Sequence, residues 1–120
     1  MRDFKKLMIW QNGVQLVKKV YLITREIPGS EKFGLTSQMR RAAVSIPSNI
    51  AEGSSRNSEI EFKRFLEIAI GSSFELETQL IISVELEYLK RDKLKILFSE
   101  LNGLQKQINS LISKIAKAKG

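Results

Sequence analysis

The chain has 120 residues, 42% of them hydrophobic and 28% charged, and this composition predicts one globular domain with a single core. It contains no cysteine and no histidine, which excludes disulfides and thiolate sites and removes the commonest general base and metal ligand. The net charge of +7 lies at the chain ends: cations exceed Asp3 by five in residues 1–25, residues 88–120 carry eight Lys or Arg against two acids, and residues 26–87 carry ten Glu against six Lys or Arg.

The first predicted helix covers about residues 3–27. Asp3 is its predicted N-cap, and Pro28 ends it because proline disfavours helix at the residue before it. Apolar or small residues recur at alternating spacings of three and four, which predicts one buried stripe made of Leu7, Trp10, Val14, Val17, Tyr21 and Thr24.

The second predicted helix covers about residues 36–52, with Thr36 as N-cap and Gly53 as the left-handed residue after its end. Pro47 lies inside the apolar pattern. Since proline removes a backbone donor and clashes with the preceding turn, we expect a kink there, fixed by the packing around it. The predicted stripe is Met39, Ala43, Ile46 and Ile50.

The third predicted helix covers about residues 58–88 and opens with a capping box of Ser58 and Glu61. Gly71, in its middle, predicts close approach of another backbone or room for Trp10. The predicted stripe is Phe62, Leu66, Ala69, Ser73, Leu76, Leu80 and Ser83.

The fourth predicted helix covers about residues 92–117, with Asp92 as its cap and residues 116–120 expected to fray. Its heptad seam is Leu94, Leu97, Leu101, Leu104, Ile108, Leu111 and Ile115. Four helices joined by short loops predict an all-α, antiparallel, up-down-up-down four-helix bundle that forms one domain over residues 1–120. The same seam also allows dimerisation through the fourth helix.

The densest sequence pattern is L-T-S-Q-M-R-R-A-A-V-S-I-P-S-N-I-A-E-G over residues 35–53, preceded by E-K-F-G at 31–34. Matching positions elsewhere are Trp10, Gln11, Tyr21, Pro28, Phe62, Arg64, Phe65, Leu66, Ala69, Gly71, Ser72 and 75–79. Over about residues 4–89 this pattern resembles the four-helix-bundle proteins encoded in intervening sequences of bacterial 23S rRNA genes. The fourth helix is similar only in its periodicity.

The resemblance implies an antiparallel bundle that associates into a homopentameric ring and has no established catalytic activity. A more distant likeness is to the accessory bundle protein of diversity-generating retroelements. That likeness implies binding to nucleic acid and to a reverse transcriptase through a basic surface. For the rRNA-associated proteins, an RNA-related role is inferred mostly from where the genes lie.

Basic residues on the first and fourth helices would form one face if these helices are neighbours. The candidate phosphate contacts are Lys5, Lys6, Lys18, Lys19, Lys90, Arg91, Lys93, Lys95, Lys106 and Lys114. Cations at the start of the fourth helix oppose its dipole, which suggests an anionic ligand, although they could simply solvate a turn. The aromatic side chains fall mostly on core stripes, so we expect little base stacking.

The motif in the second helix has two interpretations. Arg40 and Arg41 either contact phosphate or pair with Glu52, Glu75 or Glu77. Asn49 and Glu52 either form a polar notch, or Glu52 joins an ion pair while Asn49 or Ser45 satisfies the Ala43 carbonyl that Pro47 leaves without a donor. Arg40, Arg41, Pro47, Asn49, Glu52, Gly53 and Gly71 are therefore also structural candidates.

Enzymatic and metal sites are disfavoured, since Glu75 and Glu77 point to different helix faces and histidine is absent. We therefore expect a non-enzymatic, oligomeric bundle, without cofactors, that binds RNA or DNA through phosphates. The alternative is a structural or protein-interaction module without nucleic-acid binding. No apolar run approaches the ~20 residues that a bilayer span needs and no signal peptide is evident, so we expect a cytoplasmic protein without a membrane segment.

Overall fold

The computed structural model describes residues 2–119, and four α-helices account for most of them. The helices are α1 (Met8–Thr24), α2 (Leu35–Ser54), α3 (Glu59–Glu85) and α4 (Lys95–Lys119), with short 3-10 turns at Phe4–Lys6, Gly29–Glu31 and Arg91–Leu94. No strand occurs in this part of the chain. The predicted all-α class and its four helices are confirmed.

The molecule measures 46 × 22 × 20 Å. Its helices enclose one core, because α1 and α3 each pack against both α2 and α4. Two polar contacts join α1 to α4, Asn12 to Gln107 and Lys19 to Glu100, and a third joins Glu26, just after α1, to Lys93, just before α4. Their partners fall in opposite order along the two helices. This order fits an antiparallel course for α1 and α4. The antiparallel arrangement of the whole bundle and the kink at Pro47 stay predictions.

The predicted core stripes of α2 and α3 are confirmed, since every member of both is buried. The α4 seam is buried except for Leu111, which is half-buried. On α3 the stripe includes two small polar residues, Ser73 and Ser83, whose hydroxyls donate to carbonyls one turn earlier, at Ile70 and Gln79. Polar residues can therefore occupy this core without losing their hydrogen bonds.

The predicted stripe of α1 is correct only in part. Thr24 is buried as predicted, and Leu7, Trp10 and Val17 are half-buried against the core. The other buried residues of α1 lie beside the predicted ones: Ile9, Gly13, Leu16 and Val20. Tyr21 is 40% exposed. The physical reason lies in α2. A Cβ at Gly13 would stand 3.3 Å from the Pro47 Cβ, so the glycine makes room for the proline ring.

Several helix ends differ from the predictions. Asp3 caps the 3-10 turn before α1, accepting from the Lys5 N–H at 3.1 Å. Thr36 is buried inside α2, and the Glu31 carboxylate instead accepts from the Leu35 N–H at 3.1 Å. Asp92 lies in the turn Arg91–Leu94 that precedes α4.

The two ends of α3 follow standard motifs. At its start the Ser58 hydroxyl accepts from the Glu61 N–H at 3.1 Å, as predicted. At its end Glu87 has a left-handed φ of 63°, and the N–H groups of Glu87 and Tyr88 donate to the carbonyls of Val84 and Ser83. This Schellman motif stops α3 at Glu85, three residues before the predicted end.

The final helix continues further than expected. It stays helical through Lys119, beyond the predicted end near residue 117, and the fraying of residues 116–120 stays a prediction. Residue 120 lies outside the described residues.

Two glycines have roles opposite to those predicted. Gly53 is inside α2, with no left-handed φ, and a Cβ there would stand 2.5 Å from the Phe65 Cβ. It is therefore the close-approach glycine between α2 and α3. A Cβ added at Gly71 would have no heavy atom within 4 Å, so the predicted close approach there is wrong.

Candidate nucleic-acid interface

The contact between α1 and α4 brings the two basic end segments onto neighbouring helices. Three of the ten candidate cations are nevertheless engaged. Lys19 pairs with Glu100, Lys93 lies 3.0 Å from Glu26, and Lys95 lies 3.9 Å from Asp92. The basic surface formed by the two chain ends is therefore interrupted by ion pairs.

The other seven candidates are exposed and form no ion pair within residues 2–119: Lys5, Lys6, Lys18, Lys90, Arg91, Lys106 and Lys114. By helical periodicity, Lys18 and Lys106 project from the sides of α1 and α4 that lie opposite their buried stripes. Lys90 and Arg91 precede α4, so they do not begin the fourth helix as predicted. The unpaired cations are the ones free to contact phosphate without first breaking an ion pair.

Arg40 ties α2 to α1. Its guanidinium stands 4.5 Å from the centre of the Tyr21 ring, and its Nε donates to the Thr24 hydroxyl at 3.0 Å. A further nitrogen lies 3.4 Å from the Tyr21 carbonyl. No carboxylate contacts Arg40 among the described residues, so the predicted ion pairing of this arginine is wrong.

Arg41, one residue later, is exposed and has neither a hydrogen bond nor an ion pair in the described part of the chain. It lines a pocket of about 480 Å³ between α2 and α3, together with Glu75 and Gln79. The side-chain oxygen of Gln79 is buried there without a hydrogen-bond partner within residues 2–119.

The acidic side chains that were suggested as ion-pair partners of Arg40 and Arg41 contact other residues or lie beyond ion-pair distance. Glu52 lies 3.3 Å from Arg56, and Glu77 accepts from the Gln105 amide at 3.0 Å. Glu75 shares the pocket with Arg41 but is not within ion-pair distance. Neither arginine therefore forms an ion pair within residues 2–119.

Asn49 belongs to a hydrogen-bond network that joins α2 to α3. Its amide donates to the carbonyl and the hydroxyl of Ser45 at 2.8 and 2.9 Å, and the Ser45 and Ser72 hydroxyls lie 2.8 Å apart. Asn49 therefore serves the Ser45 carbonyl, and the prediction that it serves the Ala43 carbonyl is wrong. The network links the α2 motif to the middle of α3.

A groove on the other side of α2 combines aromatic and basic side chains. Phe33 is 90% exposed, and the Lys32 ammonium lies 5.4 Å from its ring centre. With Tyr21, Arg40 and Arg41, these residues line a space of about 550 Å³. The expectation that exposed aromatic and basic side chains do not lie together is therefore wrong. The sequence does carry a signal, because Phe33 lies in a loop outside every predicted stripe.

Sequence comparison identifies the family to which these features belong. A family model described as the 23S rRNA-intervening sequence protein matches residues 5–110. The chain belongs to this family. The match extends well into α4, where the sequence resemblance rested on periodicity alone. No match was found among curated proteins.

A solved structure is similar to this 23S rRNA-intervening sequence protein. It is the crystal structure of a protein of unknown function from the S23 ribosomal protein family of Bacteroides thetaiotaomicron VPI-5482. The two share 22% sequence identity with a TM-score of 0.81, over 88% of this chain and 98% of the other. At this identity the likeness shows the four-helix fold alone.

Two other kinds of feature, a metal site and a membrane-spanning helix, are not found among the described residues. No group of three or more Asp or Glu side chains is placed to hold a metal ion. No helix has both the length and the apolar character needed to cross a bilayer. At the N-terminus, the Arg2 guanidinium donates hydrogen bonds of 2.6 and 2.8 Å to Glu59, and these raise the pKa of Arg2. Arg2 is therefore a further cation that is engaged in an ion pair.

Proposed function

We propose that this 23S rRNA-intervening sequence protein is a non-enzymatic, cytoplasmic bundle that binds RNA or DNA through phosphates. The observation that supports the proposal most is the contact between α1 and α4, which gathers the basic chain ends on adjacent helices. Such binding is electrostatic, depends steeply on salt and carries little base readout.

Self-association completes the proposal. A homopentameric ring, which the family resemblance implies, would repeat the charge of +7 in every subunit. One nucleic-acid strand could then contact several subunits, so that modest affinity for one subunit becomes strong binding by the assembly.

The alternative function is a structural or protein-interaction module without nucleic-acid binding. The observation that favours it is the number of large apolar side chains exposed along α3, such as Ile60, Ile68 and Phe74. Its partner would be a polymerase, such as a reverse transcriptase, or another helix bundle.

The ion pairs allow a charge-matched test of phosphate contact. One triple variant replaces unpaired lysines, Lys18, Lys106 and Lys114, by Gln, and the other replaces paired lysines, Lys19, Lys93 and Lys95, by Gln. Each lowers the net charge by three. Because only an unpaired lysine contacts phosphate without breaking an ion pair, we expect the first variant to reduce the log–log salt slope on duplex by about 2 to 3 and the second by less than about 1.

The measurement is binding to labelled RNA and DNA of unrelated sequences over about 50 to 300 mM salt. Native mass and thermal unfolding of both variants serve as controls. Equal changes of slope would mean that the unpaired lysines are not phosphate contacts. An absence of binding by the parent at the lowest salt would contradict the proposal and favour the protein-interaction module.

A further inference from the structure

We infer that the groove between α1 and the start of α2 is a single-strand site in which one unstacked base lies on Phe33. Lys32 and Arg41 would hold the adjoining phosphates. The inference rests on the proposed nucleic-acid function and deepens it, because it names a site, a strand form and a recognition chemistry. Among the lysine candidates, the Lys5 ammonium lies 6.0 Å from the centre of the half-buried Phe4 ring, whereas the Lys32 ammonium lies beside a ring that is 90% exposed.

Phe33 is the most exposed of the large hydrophobic side chains in residues 2–119. Leaving a phenyl ring in water forgoes the free energy that burial of its apolar surface would provide. Its loop is nevertheless well anchored: the Glu31 carboxylate accepts from the Leu35 N–H at 3.1 Å and from the Tyr88 hydroxyl at 3.0 Å. The ring therefore stands on a fixed segment, which limits the entropy lost on binding.

The charged side chains that line the groove with Phe33 are all positive. Lys32, Arg40 and Arg41 line the groove, and none of them forms an ion pair with a described carboxylate. Glu31, the acid next to Lys32, directs its two carboxylate oxygens to other donors. Arg40 is held against Tyr21 and Thr24, so Lys32 and Arg41 are the cations left for a ligand.

Single-stranded nucleic acid matches this combination better than a protein segment. Each nucleotide offers a flat base and a phosphate, so an aromatic platform flanked by cations is satisfied by a single repeating unit. A protein segment would have to bring an apolar side chain and several carboxylates in the same arrangement. Bases in a duplex are already stacked on their neighbours, so the site should favour unpaired strands.

The first test compares Phe33→Ala with Ile96→Ala. Ile96 is 70% exposed on α4, which contributes no residue to the groove, and it lies outside the apolar face of α3, so it is a control for loss of an exposed apolar side chain. The probes are oligouridine and oligothymidine of about ten nucleotides and a duplex of equal length. We expect Phe33→Ala to weaken single-strand binding roughly 5- to 100-fold and to leave duplex binding unchanged. Ile96→Ala should change neither.

The salt series separates the roles of the two kinds of residue. Arg41→Gln should reduce the single-strand slope by about 0.7, the value of one phosphate contact, whereas Phe33→Ala should leave the slope unchanged. In Phe33→Trp, single strands should quench the fluorescence of the new indole beyond any change in the parent, whose sole tryptophan is Trp10. These variants alter exposed side chains, and their unfolding curves check that the fold is intact.

The possible failures are distinguishable. If Phe33→Ala binds single strands as tightly as the parent, the groove inference is overturned while phosphate binding by the bundle stands. If the parent binds nothing at low salt, both proposals are overturned. If Phe33→Ala lowers the native mass and leaves single-strand affinity unchanged, the ring contacts a second copy of the chain and the inference is again overturned.

Discussion

Gly53 and Gly71 both lie inside helices but differ in what surrounds them. At Gly53 a Cβ would stand 2.5 Å from the Phe65 Cβ and 3.1 Å from the Phe62 ring, whereas at Gly71 no heavy atom would lie within 4 Å. We expect Gly53→Ala to destabilise the protein by about 1–3 kcal/mol through overpacking. Gly71→Ala should stabilise it by about 0.5–1 kcal/mol, because alanine loses less backbone entropy in a helix.

Urea unfolding of the two glycine variants and the parent measures both changes under identical conditions. The variants serve as each other's control, since both make the same chemical change inside a helix. Equal effects at the two positions would mean that the separation of α2 and α3 does not depend on Gly53.

The same two positions show what the sequence could reveal at the scale of single residues. Spacing along a helix indicated that Met39, Leu66 and Leu101 are buried, and all three are. It could not indicate which glycine a neighbouring helix approaches, because that contact depends on Phe65, twelve residues away across a turn. The exposure of Phe33 had a weaker signal in the sequence, namely its position in a loop outside every predicted stripe.

At the scale of elements, the junction between α2 and the end of α3 depends on Glu31. Its carboxylate caps α2 through Leu35 and accepts from the Tyr88 hydroxyl, and this hydrogen bond raises the pKa of Tyr88. Because the pKa is raised in the folded state, the stabilisation is present below the unfolded value of about 10 and is lost as pH rises through the folded value. Ionised Tyr88 can no longer donate and repels Glu31.

Tyrosinate absorbance measures this shift directly. Subtracting the titration curve of Tyr88→Phe, which retains Tyr21, from that of the parent should leave a step above about pH 10. In urea unfolding, the difference in the free energy of unfolding between parent and Tyr88→Phe should shrink as pH rises through that step. The two proteins contain the same lysines, so the lysines do not contribute to this difference. A step at or below pH 10 would contradict the hydrogen bond to Glu31.

The element ends also show where sequence reasoning fails. The capping box at Ser58 was predictable because both residues of the motif are close in sequence. The start of α2 was not, since Gly34 offers no side chain and the cap comes from Glu31. The end of α3 was also hidden, because a Schellman motif usually carries glycine where this chain has Glu87.

At the scale of the whole molecule, the uneven charge and the apolar outer face of α3 favour head-to-tail association into a ring. Residues 26–87 are net acidic and the chain ends are net basic. We therefore predict that the acidic middle of one copy contacts the basic ends of the next, as in a heterologous interface. Exposed apolar side chains cluster on and just after α3: Ile60, Ile68, Phe74, Ile81, Ile82 and Leu86.

We expect light scattering to give the mass of a pentamer for the parent and a smaller mass for Ile68→Lys combined with Ile82→Lys, because lysine removes apolar contact and repels a basic neighbour. Ile96→Lys on α4, where the isoleucine is 70% exposed, should leave the mass unchanged. A monomeric parent would contradict the ring and remove the contribution of avidity, so the phosphate contacts of one subunit would have to account for all nucleic-acid affinity.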